Sequence, residues 1–214
     1  MLNTNRESTK IVRQHPSRFD LIAGNVCLDF VNTLDDRYTK PKELLGTYID
    51  LVRFCEDTAV MDSQQVDRLF ERGQTNPDHA EKVLGWAQEL REAIHDVFRA
   101  LMDKSPVPPA ALARLNAQIQ DALSHLRLVP VKGGFEWRFD DFGELDSVLW
   151  PIARSAAELL ASDQLPYVRA CFSKTCEWFF LDTSKNHQRR WCDMTRCGNR
   201  AKVRNFYARQ KNSC

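Results

Sequence analysis

The chain has 214 residues, 43% of them hydrophobic, which is enough to bury the core of one or two domains, and its formal net charge is +1. No apolar stretch reaches the ~18–20 residues of a membrane span, and Met1–Arg18 is polar, without the apolar centre of a signal peptide. A membrane-spanning or secreted protein is therefore not expected, a cytoplasmic one is, and the seven cysteines should be thiols or metal ligands rather than disulfides.

The small net charge hides a division. From Tyr167 to Cys214 there are 11 Lys+Arg against 3 Asp+Glu, and before Tyr167 there are 19 against 26. A basic tail on an acidic body suggests a polyanionic partner for the tail alone.

Taken in chain order, residues 1–18 show no periodicity and read as a flexible arm. The stretch from Phe19 to Arg37 contains Asn25, suited to capping a short helix, followed by Val26, Cys27, Phe30, Val31 and Leu34 on one side. Asp29, Asn32 and Thr33 take the complementary positions. Asn25, Asp29, Asn32 and Thr33 then have two readings: polar groups tying neighbouring loops by hydrogen bonds, or the lining of a small-ligand pocket. Cys27 reads as a small apolar filler.

Lys40-Pro41 is a loop. Thr47 caps a helix to Thr58 with Tyr48, Leu51, Val52 and Cys55 on one face, and Asp62-Ser-Gln-Gln65 is a capping box for a helix ending near Gly73. Asn76-Pro77 supplies a cap and a first-turn proline for a helix of about 27 residues. Its seam is Val83, Ala87, Leu90, Ile94, Val97 and Leu101, thickened by Leu84 and Phe98, with His95 beside it.

Ser105–Pro109 breaks the chain. The next helix carries Leu112, Leu115, Ile119, Ala122 and Leu126, and should fold back on its predecessor. Leu128–Val131 and Phe135–Phe139 flank Gly133-Gly134 as a β-hairpin, with Pro130 on an edge. Glu144–Ser162 is helical, with Pro151 kinking it or marking its true start, and Ser162–Pro166 is the hinge to the tail.

The tail holds Cys171-x4-Cys176 and Cys192-x4-Cys197, fifteen residues apart. Four thiolates so spaced can enclose one tetrahedral Zn²⁺, and a segment this short has too little core to fold without a staple. Four thiolates also close the coordination sphere, so the ion is structural; His187 is not needed as a ligand, and a redox role for the thiolates is a minor alternative. Trp178–Leu181 reads as a strand, Arg189–Cys192 as its returning partner, and Cys197–Arg200 as the opening of a helix to about Gln210. That is a treble-clef-like arrangement, in which Val203 and Phe206 pack on the hairpin. Arg200, Arg204, Tyr207 and Lys211 form one stripe, Lys202 and Arg209 flank it, and Arg189, Arg190, Arg196 and Asn199 lie in or beside the preceding loops. Such a stripe suits phosphate contact and arginine reading of guanine edges.

No P-loop, Gly-x-Gly-x-x-Gly, nucleophile elbow or His-Glu-x-x-His is present, so no catalytic residue is assigned and the chain is not expected to be an enzyme. An enzyme site on Asn25, Asp29, Asn32 and Thr33 lacks a His, Cys or Lys base tied to it by spacing.

At Cys197-Gly198-Asn199-Arg200, with Trp191 and the two Cys-x4-Cys pairs, the tail resembles the CGNR zinc finger. The body resembles the ABATE-type domain of stress-induced bacterial transcription regulators, through Gly24-Asn25 and Leu28-Asp29-Phe30-Val31-Asn32-Thr33. The resemblance covers about residues 19–211. It implies a mainly α protein: a helical regulatory domain with a small β-hairpin over 19–162, and a zinc finger over 167–214. It further implies a structural Zn²⁺ held by Cys171, Cys176, Cys192 and Cys197, a DNA partner, and a sensing role for the body toward a small-molecule effector or through homodimerisation. RNA or ribosome association is the alternative, since a basic tail does not separate RNA from DNA.

Overall fold

A computed structural model of the chain describes residues 17–140, 143–173 and 175–211, with the backbone alone at 205–209 and 211. The expected arm lies outside the described residues apart from its end. There, Ser17 donates to Asp57 (2.7 Å) and Arg18 pairs with Asp50.

The body is built around two helices. α1 (Val26–Val31) is short and buried on nearly every side, since Cys27, Leu28, Phe30 and Val31 are all inside; Asn25 caps it by accepting from the Cys27 amide at 3.1 Å. Gly24, just before the cap, has φ +77°, a left-handed backbone conformation that favours glycine. A two-residue ribbon follows, β1 (Leu34–Asp35) with β2 (Lys42–Glu43), on either side of the Lys40-Pro41 loop. α2 (Tyr48–Asp57) and α3 (Ser63–Thr75) both begin in complete capping boxes, at Thr47/Asp50 and Asp62/Gln65.

α4 (Pro77–Asp103) is the 27-residue spine, as its seam predicts. Two details differ from the sequence reading. Asn76 makes no side-chain cap hydrogen bond, leaving Pro77 as the start signal, and Leu101 reaches the surface where the helix outruns the core. α5 (Pro109–Ser124) packs beside α4 through Ala111, Leu115 and Ala122, while Leu112 faces solvent and Leu126 already belongs to the next strand.

β3 (Leu126–Val131) and β4 (Gly134–Phe139) form the expected antiparallel hairpin, with Val131 opposite Gly134. The turn residues are Lys132-Gly133, with Gly133 at φ +91°, and Gly134 is already in the ladder. A 3₁₀ turn over Leu145–Leu149 leads into α6 (Trp150–Leu160), so Pro151 marks the helix start rather than a kink. Trp150 stacks on His125 at 4.0 Å and donates to Asp121, tying α6 to α5 and the hairpin base.

The tail opens with β5 (Val168–Ala170) paired antiparallel to β6 (Phe179–Leu181), and ends in a π-helical turn over Met194–Gly198 that runs into α7 (Asn199–Lys211). The strand at Phe179–Leu181 therefore pairs with the segment before the first cysteine. The expected partner over 189–192 forms no strand; a backbone–backbone hydrogen bond there is Phe172 N–H to Arg190 C=O at 2.9 Å. Buried residues from Phe19 to Cys197 form one continuous core that spans body and tail.

Candidate metal centre and basic face

The β5–β6 pairing makes the first cysteine pair the loop of a hairpin. The Cys171 amide donates to the Trp178 carbonyl at 2.8 Å, extending the ladder, and the Cys176 amide donates to the Ser173 carbonyl at 2.9 Å, closing a knuckle. The second pair is set by Asp193, whose carboxylate accepts from the Arg196 amide at 2.7 Å and whose carbonyl accepts from the Cys197 and Gly198 amides at 3.1 Å each. Hydrogen bonds from the Thr195 hydroxyl and the Arg196 amide hold the Asp193 carboxyl below the usual carboxylate range, so it caps this turn as an anion.

All four cysteines are buried, with their Sγ atoms within 4.8 Å of one another. Cys176 to Cys192 and Cys192 to Cys197 are each 3.6 Å apart. Zn–S bonds of about 2.3 Å in a tetrahedron require Sγ–Sγ edges of about 3.8 Å, so the quartet fits one zinc ion. As protein groups alone, the thiols share protons through short S–H···S contacts, which lower Cys171 and raise Cys176 and Cys192. A divalent cation supplies the charge that lets all four ionise together. Arg200 adds to this by donating to the Cys197 Sγ at 3.4 Å.

The other two buried thiols are not part of the centre. Burial pushes both Cys27 and Cys55 up, so they stay protonated as core filler.

The basic residues named from sequence divide into two groups. Arg189 and Arg196 are used internally. Arg189 donates to the Trp191 carbonyl at 2.9 Å and to the Cys192 carbonyl, and its guanidinium lies 4.6 Å from the Phe180 ring centre. Arg196 pairs with Asp20 of the body, approaches Asp35 at 3.9 Å and covers Trp178 at 5.0 Å. Arg190, Asn199, Arg200, Lys202 and Arg204 are exposed. The side chains of Tyr207, Arg209 and Lys211 lie outside the described residues, as does that of Phe206. Val203, expected on the hairpin, is 55% exposed. The apolar side of β6 is covered by the body instead, where Phe179 meets Phe98 and His95 with ring centres 6.0 and 5.5 Å apart.

The N-terminal polar residues are arranged around that junction. Asn32 is buried; its amide donates to the Phe179 carbonyl at 2.9 Å and accepts from the Phe179 amide at 3.0 Å, behaving as a neighbouring strand would. The Leu181 amide donates to the Ala23 carbonyl at 2.7 Å, and Arg99 pairs with Glu177 at 3.0 Å. Thr33 donates to the Phe30 carbonyl and accepts from Arg91 at 3.1 Å, while Arg91 grips Glu43 with two contacts of 2.6 Å. Asp29 accepts from the Ala23 amide at 2.9 Å. Asn25 also accepts from Ser155 at 2.8 Å, and it alone of the four borders a cleft of about 930 Å³ between the β3–β4 hairpin, α3 and α6. Sequence reasoning missed Arg99, Arg196 and Trp178 as junction residues, and Arg189 as a brace within the finger. The one available signal was the unbroken apolar run Trp178–Leu181, which marks a strand buried on both faces.

Helical body, continuous core and a closed four-cysteine knuckle define a zinc-finger protein whose finger is seated on a larger helical domain. Residues 24–163, well over half of the chain, match the ABATE family model, described as "Putative stress-induced transcription regulator", and residues 167–210 match the CGNR zinc finger. The chain belongs to the ABATE family and carries a CGNR finger at its C-terminal end. Among proteins with curated descriptions, none matches the chain.

Proposed function

We propose that the protein is a DNA-binding transcription regulator in which the zinc-held α7 is the DNA-contacting element and the helical body the regulatory one. The observation that carries this reading is the fate of the tail's cations. Arg189 and Arg196 are consumed in building and seating the finger, whereas Arg190, Lys202 and Arg204 remain exposed. The tail has a basic excess of 11 to 3 against an acidic body, which concentrates attraction for a polyanion on this face. The zinc is structural: it fixes the start of α7, and Arg200 acts first on the Cys197 sulfur and only second on a phosphate.

No helix among the described residues is long and apolar enough to cross a bilayer. Regulation through the body would reach the finger by the Asn32–Phe179 and Ala23–Leu181 links, because α1 carries Asn25 at the cleft and Asn32 at the finger.

Selection of bound sequences from random duplex DNA by the zinc-loaded full chain tests the reading. A shared enriched sequence is expected. Recovery of only a salt-sensitive background without enrichment overturns a sequence-specific regulator.

A further inference from the structure

The free side of the finger carries an apolar patch that phosphate contact does not use. Phe172, immediately after Cys171, is 64% exposed, and Met194, at the start of the second knuckle, is 49% exposed. Trp191 joins them. Its ring meets Phe172 edge-on with centres 5.7 Å apart, and it borders Gly198, where an added Cβ would lie 3.4 Å from Trp191 Cδ1 and 2.7 Å from Met194 Sδ. The Arg190 guanidinium sits 4.3 Å from the Phe172 ring centre.

The ring is not needed to close the knuckle, because the Phe172 amide already bonds the Arg190 carbonyl and the Cys171 amide the Trp178 carbonyl. Single exposed apolar residues are ordinary, but a contiguous aromatic and thioether surface marks a contact site. The cation stacked on it, and the basic excess of the whole tail, select a polyanion as the occupant. A flat ring and a methionine beside phosphate-binding cations are the side chains that enter opened base steps.

Resting on the DNA-binding reading, we propose that Phe172 and Met194 form a wedge that occupies an unstacked base step of duplex DNA, with Arg190 meeting the adjacent phosphate. Unstacking costs energy in a perfect duplex and little at a single-base bulge. The wedge therefore prefers bulged DNA.

The test is fluorescence anisotropy of the zinc-loaded full chain with a 30-base-pair duplex, the same duplex carrying one central bulged base, and a single-stranded RNA of equal length. The wild type should bind the bulged duplex about tenfold tighter than the paired one. Phe172→Ala should erase that preference with its zinc content unchanged, Phe172→Tyr should keep it, and Arg204→Ala should weaken both duplexes alike. Should Phe172→Ala lose zinc, Met194→Ala carries the comparison. A preference that survives both alanine substitutions, or its absence in the wild type alongside normal paired-duplex binding, overturns the wedge. Tighter, Phe172-dependent binding of the RNA overturns its assignment to duplex DNA. No binding to any of the three at low salt removes the DNA-binding reading itself.

Discussion

Asp29 shows how a single residue of the N-terminal stretch acts. Burial raises its pKa to about 6, against the hydrogen bonds from the Ala23 and Ile22 amides. The folded state therefore holds the proton more tightly than the unfolded chain, whose carboxyl titrates near about 4. Its contribution to stability is greatest below pH ~4 and is lost as pH rises through ~6, by about 3 kcal/mol for a shift of this size. Asp29→Asn keeps an oxygen for the Ala23 amide and removes the titration. Urea unfolding should show the variant losing less stability than the wild type between pH 4 and pH 7; parallel profiles would mean that Asp29 is not the group responsible. At this scale the sequence was informative where local chemistry decides. Asn25, Thr47 and Asp62 cap as expected, because a cap depends on residues within a few positions. The internal use of Arg189 and Arg196 was not legible, since a cation in a basic segment looks the same whether it faces solvent or a distant carbonyl.

The decisive pair of elements is α1 and β6. Asn32 satisfies both backbone groups of Phe179, a residue 147 positions away, inside a junction where water does not compete. Asn32→Ala strands a buried N–H and a buried C=O, and should cost about 2–4 kcal/mol in urea unfolding. It should also speed transfer of zinc to a competing chelator while leaving the amount bound unchanged. Wild-type stability together with wild-type transfer rates would separate α1 from the seating of the finger. The strand at Phe179–Leu181 could be read from its run of large apolar residues, but its neighbour could not. A short continuous apolar run has no alternation to show which way it faces or what it pairs with. The segment over 189–192 is unavailable as a strand because the Trp191 and Cys192 carbonyls accept from the Arg189 side chain and the Arg189 amide goes to Asp182. Val203 is free for the same reason: the body has already covered the apolar side of β6.

Across the whole molecule, division of charge and continuity of core point to one design. The tail is basic and the body acidic, yet the buried residues run without interruption from one into the other. The finger is thus a charged surface joined to the body through a shared core. The order of helices, the hairpin and the metal ligands were legible because periodicity, turn residues and cysteine spacing are local signals. The seating of finger on body was not, because it depends on contacts more than a hundred residues apart. The most direct measurement is the salt dependence of binding to duplex DNA for the zinc-loaded protein, the chelated protein and zinc-loaded Arg204→Ala. A zinc-held DNA-binding helix predicts that chelation abolishes specific binding, and that Arg204→Ala lowers the slope of log K against log salt by about one. Affinity and slope unchanged by both treatments would contradict it.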